Sequence, residues 1–459
     1  MPISNLPAQI QSMIQQNFLS RTLEDALRAK LGFRLIAERE SFGAEIGESI
    51  TKTRLGLLPA ITTPAAPAAN SDITSGMTPQ QHGVEQYLLR VDQYPGTMSL
   101  NLVTSRVAIG NQFLINAGRL AEQAARSVDT LACNALFGAY QGGNSRVTTT
   151  LGAPATTVHV DDIRGWVKVV SGTGAPVAVS AANPVNTTVG MDVYSCVGAV
   201  ADGVAPYNAP AFMVFSGASV NTSTAPGGFS GTLTFSSNVS VADATQGMPV
   251  VASNASFVVR PDGSSTSALL GTVGKSAKLT IDAVLAAKAA LENNNVETLD
   301  NGLFNFFATP SQLTGLYQDP AFQAFHRGRT DSEDYKRGVV SELMGVEVVR
   351  TNLNPVQPSL GAGLVQRGII CGKGALVEGD YTGTGYAAAM AMGDEEMIQV
   401  IDGIAHITAE PIDALKQVVR QSWSYIGGFV APTDALTTAA TIPTATGSAH
   451  KRAAIVESL

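Results

Sequence analysis

Apolar and polar positions change rhythm several times along the chain, and each change marks a different element. Over residues 1–43, Ile10, Met13, Ile14 and Phe18 recur at helical spacing, and Leu23, Ala26 and Leu27 continue the stripe. The pattern predicts a helical arm whose narrow apolar face needs a partner surface. Residues 46–58 and 84–103 read as two extended arms joined by the Pro/Ala/Ser-rich stretch 59–79. They predict a long β-ribbon, which is marginal in water when it stands alone. From residue 105 the period turns helical, with Phe113, Ala117, Leu120, Ala124, Val128, Leu131 and Ala135 on one face and Gly142-Gly143 as a stop. A helix of about 30 residues would be ~45 Å long.

Residues 146–275 are dominated by Thr, Ser, Gly, Ala and Val with few charges. Short β-type runs alternate there with turn clusters: Val177 to Val179, Val193 to Val197, Phe212 to Phe215, Thr232 to Phe235 and Phe257 to Val259. That pattern predicts an all-β sandwich or small barrel. The remainder is mixed α/β. An Ala-rich helix over 278–291 ends at Asn293-Asn294-Asn295, and residues 304–307 form a short strand. Thr309, Pro310 and Gln312 supply an N-cap, a first-turn proline and a capping-box glutamine. Further strands are expected at 346–349, 365–371, 397–407 and 418–429, with a mobile Ala/Thr-rich tail over 437–459.

Composition adds a second clue. Only 14% of the 459 residues are charged and 45% are apolar, with 29 basic against 37 acidic side chains and a net charge of −8. Average globular chains carry about 25% charged residues, so much of this surface is expected to be covered by neighbouring subunits. The acidic balance excludes nucleic-acid binding through a basic patch, and the apolar content excludes disorder. No basic-plus-apolar leader and no run of ~18 apolar residues is present, which predicts a soluble chain made in the cytosol without membrane contact. Cys133, Cys196 and Cys371 are too scattered for a disulfide framework or a metal site.

Catalytic signatures fail one by one. The run Gly368 to Gly374 has a glycine where a phosphate-binding loop needs Ser or Thr, and Arg367 stands where its first glycine should be. His82, His159, His326, His406 and His450 have no metal-ligand spacing, and His406 reads as a satisfied strand residue. Asp394-Glu395-Glu396 reads as a solvated loop. Arg327, Arg329, Lys336 and Arg337 alternate with Asp331, Glu333 and Asp334, a mixed-sign cluster suited to pairing between subunits or to an exposed salt-bridged loop. No enzyme, catalytic residue, metal or cofactor is predicted.

The order of these segments carries a resemblance. The phrases Val84-Glu85-Gln86-Tyr87 to Leu100-Asn101-Leu102, the helix from Leu114 to Tyr140, Phe306-Phe307-Ala308-Thr309-Pro310-Ser311-Gln312-Leu313, and the run from Val340 to Asn352 resemble tailed-phage major capsid proteins with the Hong Kong 97-type fold. The likeness covers about 330 residues and leaves out 146–275. It implies an α+β fold with an N-terminal arm (1–43), an extended loop (44–104) and a spine helix opening a peripheral domain (105–145). An inserted all-β domain (146–275), the rest of the peripheral domain with an axial domain (276–434) and a C-terminal tail (435–459) complete it. It further implies hexamers and pentamers in an icosahedral shell around double-stranded DNA held without sequence-specific contact, assembled in the host cytoplasm. Scaffolding, portal and decoration proteins are the further partners implied. Ile10, Ile14, Phe18, Tyr87, Tyr94, Arg327, Arg329, Glu333, Asp334 and Arg337 are the candidate inter-subunit contacts. An encapsulin-like shell storing a protein cargo, and a β-rich surface adhesin, are the alternative readings.

Overall fold

A computed structural model describes residues 32–41, 49–55, 84–101, 109–142, 144–163, 278–326, 342–355, 365–380, 398–409, 418–432 and 451–458, with shorter stretches between 166 and 259. The described residues form a mixed α/β fold with two six-stranded sheets joined by one long helix. The first sheet runs in the order Ala37–Ser41, Leu376–Asp380, Val418–Val430, Ile404–Ala409, Ile398–Ile401, and Asp92–Asn101 also pairs with Val418–Val430. The second runs Val258–Val259, Ala453–Ser458, Gln366–Cys371, Phe304–Ala308, Val346–Arg350, Glu342–Leu343.

The long helix spans Ile109–Tyr140, 32 residues or about 48 Å. Its buried face follows the predicted stripe from Phe113 through Ala117, Leu120 and Ala124 to Val128, against Leu100, Ile404, Val419, Trp423 and Tyr425 of the first sheet. Beyond Val128 the face turns. Leu131 and Ala135 are only half-buried, while Ala132, Cys133, Leu136, Phe137 and Tyr140 enter a separate core with Phe307, Ile369, Cys371 and Ile455 of the second sheet. The 27 positions from Phe113 to Tyr140 make about 7.5 turns, so the two ends present opposite sides. One helix thereby serves two cores.

The second sheet is covered on both faces, which explains its uninterrupted burial. Phe304, Phe306, Ala454 and Val456 face the helices Ile281–Asn293 and Pro310–Tyr317, whereas Phe307, Ala453 and Ile455 face the long helix. The Ala-rich helix starts at an N-cap Thr280 whose hydroxyl accepts from the Ala283 N–H, and Asn295 closes it with φ 54°. Thr309 and Gln312 form the expected capping box, and the Gln312 amide also donates to the Val456 carbonyl at 3.0 Å.

Five expectations change. Residues 33–36 form a 3-10 turn and Ala37–Ser41 a strand, so the arm is not helical to residue 43. Glu38 and Arg39 there pair with Val377 and Glu378, so tertiary pairing overrides local helix propensity. The ribbon is shorter than predicted: Ser49–Leu55 pairs with Val84–Arg90, but Asp92–Asn101 leaves it to pair with Val418–Val430. Residues 397–407 are not one strand, because Asp402 and Gly403, with φ 53° and 78°, turn the chain into a hairpin. The tail ends in order: Ala453–Ser458 is a strand with all six residues buried, since Ala-Ala-Ile-Val suits a sheet covered on both sides. The 59–79 tip and the rest of the tail lie outside the described residues. Each of the five β-type runs of 146–275 contains strand among the described residues, the run 212–215 being divided between Ala211–Met213 and Phe215–Val220, but Val258–Val259 belongs to the second sheet.

Candidate assembly surface

Three local constructions hold the places where the predicted arm and ribbon leave the body. The first is at residues 32–34. The Asp129 carboxylate projects from the long helix, and its Oδ1 accepts the backbone N–H groups of Gly32, Phe33 and Arg34 at 3.1, 2.6 and 3.2 Å. Burial raises the Asp129 pKa, and those three donors oppose the rise. Phe33 stacks on Phe307 with ring centroids 4.2 Å apart.

The second lies on the other side of the same turn. Arg34 reaches Glu378 through Nε and Nη2 at 2.9 and 2.7 Å, and Asp402 through Nη1 at 3.3 Å. The Tyr425 hydroxyl donates to Glu378 at 2.8 Å, and the guanidinium lies 5.5 Å from the Tyr425 ring centre. Arg39 bonds Asp402 at 2.6 Å. Burial by itself would lower the Arg34 pKa; the Glu378 hydrogen bond and charge outweigh it and raise it. Glu378 is thus fully occupied as an acceptor, so the arrangement fixes a backbone and offers no general base.

The third roots the ribbon. Tyr87 is 4% exposed and its hydroxyl donates to Glu40 at 2.9 Å, while Lys52 pairs with the same carboxylate at 2.9 Å. Leu89 packs on Val377 with Ile50, Val91 and Val430 around them. Tyr87, a candidate inter-subunit contact in the sequence, is buried here and fastens the ribbon's base to Ala37–Ser41 through Glu40.

Tyr94 is half-buried and stacks on Tyr425 at 6.3 Å, opposite it in register. It lines an open groove of about 630 Å³ with Pro95, Trp423, Arg119, Glu122 and Arg126, between Asp92–Asn101 and the outer side of the long helix. Gly96 makes room for this: a Cβ there would overlap the Trp423 indole, whose Nε1 donates to Gln123 at 3.3 Å. Ile10, Ile14, Phe18, Arg327, Arg329, Glu333, Asp334 and Arg337 lie outside the described residues.

Sequence reasoning missed Arg34, Asp129, Glu378 and Asp402. The predicted stripe gave no signal for Asp129, which lies about 100° around the helix from Val128, on the side that only the structure shows to be covered. His406 is a strand residue as expected but not a satisfied one. It is 3% exposed, neither ring nitrogen has a hydrogen-bond partner among the described residues, and burial lowers its pKa to about 4. Among the described residues no three His, Cys, Asp or Glu side chains cluster to hold a metal ion. No described helix is long and apolar enough to cross a membrane.

No family model and no curated relative matches the chain. Solved structures do. The capsid structure of the cyanophage P-SCSP1u is similar at 11% identity and TM-score 0.44, over 93% of this chain and 87% of that one. The capsid of Ralstonia phage GP4 gives 11% and 0.44 over 86% and 82%, and the cyanophage Pam1 capsid 12% and 0.42 over 90% and 86%. The solved structures to which the chain is similar are phage capsids.

Proposed function

We propose that this chain is the shell-forming major capsid protein of a tailed phage, with the Hong Kong 97-type fold that the sequence resembles. In this reading copies associate into hexamers and pentamers of an icosahedral shell enclosing double-stranded DNA. The shell assembles in the host cytoplasm and forms the virion capsid. One observation supports it above the others: among the described residues the strands Ser49–Leu55 and Val84–Arg90 pair only with each other, yet their base is tied down by Tyr87, Glu40, Lys52 and Leu89. A two-stranded ribbon is marginal in water, so a rigidly rooted one is built to lie against something else. The low charge content points the same way, because surface that meets a neighbouring copy has less need of solvating charge. Head-to-tail contacts of this kind close into rings and shells. An acidic chain also suits a container, since DNA affinity rises with each phosphate neutralised.

The test is expression of the full chain and of a deletion of residues 59–79, followed by sedimentation and electron microscopy. Closed shells from the full chain and soluble, poorly assembling subunits from the deletion are expected. A stable monomer at high concentration, or normal particles from the deletion, would overturn this reading.

A further inference from the structure

The strand Ala453–Ser458 does more than complete a sheet. It is flanked on one side by Gln366–Cys371, antiparallel over six residue pairs, and on the other by Val258–Val259, parallel. Glu457 stands directly opposite Arg367 and pairs with it at 3.1 Å through Nε. Its other carboxylate oxygen pairs with Arg146. Arg367 extends Nη2 to Asp161 at 3.0 Å, and Asp161 returns to Arg146 by accepting its backbone N–H at 2.6 Å. Arg146 also accepts the Asp161 backbone N–H at 3.0 Å. The ring Arg146, Glu457, Arg367, Asp161 closes on itself, with every side chain at most 4% exposed.

Its charges cancel two against two, and its members come from three distant parts of the chain. Arg146 and Asp161 lie at the start of the β-rich segment 146–275. Val258–Val259, near that segment's end, has Ala453–Ser458 as its sheet neighbour and sits at the sheet's edge. Both ends of the segment therefore rest on the last strand.

We propose that Ala453–Ser458 is a latch: it docks the segment 146–275 onto the body, through the Glu457 ring at the segment's entry and through strand pairing at its exit. The docking therefore depends on a strand 311 positions beyond residue 146. A chain without residues 453–459 has the sequence of the segment but not its floor. Replacing Glu457 takes away the one carboxylate that the Arg146 and Arg367 side chains share and removes a negative charge from a buried, charge-balanced ring.

The experiment is hydrogen–deuterium exchange on the full-length subunit, comparing wild type, Glu457→Gln and Val456→Ala. Val456 points from the same strand to the opposite face, into the core beside the helix Ile281–Asn293. With Glu457→Gln, exchange is expected to rise about tenfold or more in Ala155–Val160, Gly231–Val239 and residues 258–259, while Ile109–Tyr140 and Phe304–Ala308 keep their protection. Val456→Ala should raise exchange in the sheet and its covering helices without that selectivity. In a second arm, a chain ending at Arg452 receives a synthetic peptide of residues 451–459. The wild-type peptide should restore protection to 155–160, and the same peptide carrying Glu457→Gln should not. Selective loss in the first arm and selective rescue in the second establish the latch. Uniform change across the subunit, unchanged protection of the segment, or equal rescue by both peptides overturns it. None of these readouts requires assembly, so the latch stands or falls apart from the capsid reading.

Discussion

The imidazole of His406 makes the subunit's stability sensitive to mild acid. His406 lies on the strand Ile404–Ala409 directly opposite Trp423, on the face that carries Ile404 and Tyr425 into the core under the long helix. Neither nitrogen is hydrogen-bonded among the described residues, and burial is the cause of a pKa near 4 in place of the ordinary 6.5. The sign follows from which state takes up the proton. Below pH 6.5 the unfolded chain binds it, while the folded chain stays neutral until pH approaches 4. Stability is therefore full above 6.5 and falls as the pH drops through this window. A displacement of about 2.5 pKa units at 1.36 kcal/mol each gives a total loss of about 3 kcal/mol, of which about 2 is already lost at pH 5. Burial raises the pKa of Asp129 and Asp161, so these two carboxylates act with the opposite sign and partly mask the effect in wild type alone. The comparison with His406→Leu removes them, because both proteins carry them. Urea unfolding midpoints of the two proteins at pH 7.5, 6, 5 and 4.5 should diverge as the pH falls, with wild type losing about 2 kcal/mol more than the variant by pH 5. Parallel stability curves over that range would refute the argument.

Two further substitutions probe the same body. Asp129→Ala leaves the N–H groups of Gly32, Phe33 and Arg34 without their shared acceptor, and a loss of about 3 kcal/mol or more in urea unfolding is expected, with selective loss of amide protection at 33–36. Met344→Asn should instead stabilise: Met344-Gly345 has φ 49° and 82°, close to the Asp402-Gly403 pair, and Met is the one residue among the described non-glycine positive-φ positions that is neither Asn nor Asp. A gain of about 1 kcal/mol, read as a rise in Tm, is the expected result, and a fall would show that the Met344 side chain holds the turn.

What the sequence made legible follows from range. The stripe from Phe113 to Val128 and the capping box at Thr309 are set by residues three or four apart, and the structure contains both. The stripe misled beyond Val128 because periodicity assumes one partner surface, whereas this helix passes from one core to another and turns its buried side by half a turn on the way. The Asp402-Gly403 hairpin was a local signal of the ordinary kind, overlooked inside an apolar run that looked continuous. The last strand had no comparable signal: a six-residue run of small and branched side chains is equally compatible with a tail, and its partners at 366–371 lie more than 80 positions away.

The charged side chains show why the supporting framework was hidden while the elements were not. Arg34 finds Glu378 across 344 positions, and Arg146 finds Glu457 across 311. The strand Leu376–Asp380, which was not expected from the sequence, alternates so that Glu378 points to the side opposite Val377. Packing of the long helix and of residues 33–36 on that side makes it an interior, and there the acid is matched by a cation brought from elsewhere. The two networks do the same work at different places. One pins the turn from which the predicted arm departs, the other the strand on which the β-rich segment rests. In a chain with only 14% charged residues, placing several of them inside the fold at such junctions means that residues 32–34 and the strand Ala453–Ser458 are held by specific pairing and not by apolar contact alone. A shell subunit of the kind proposed has that requirement, because an error in the angle of one contact is repeated at every contact around a closed ring.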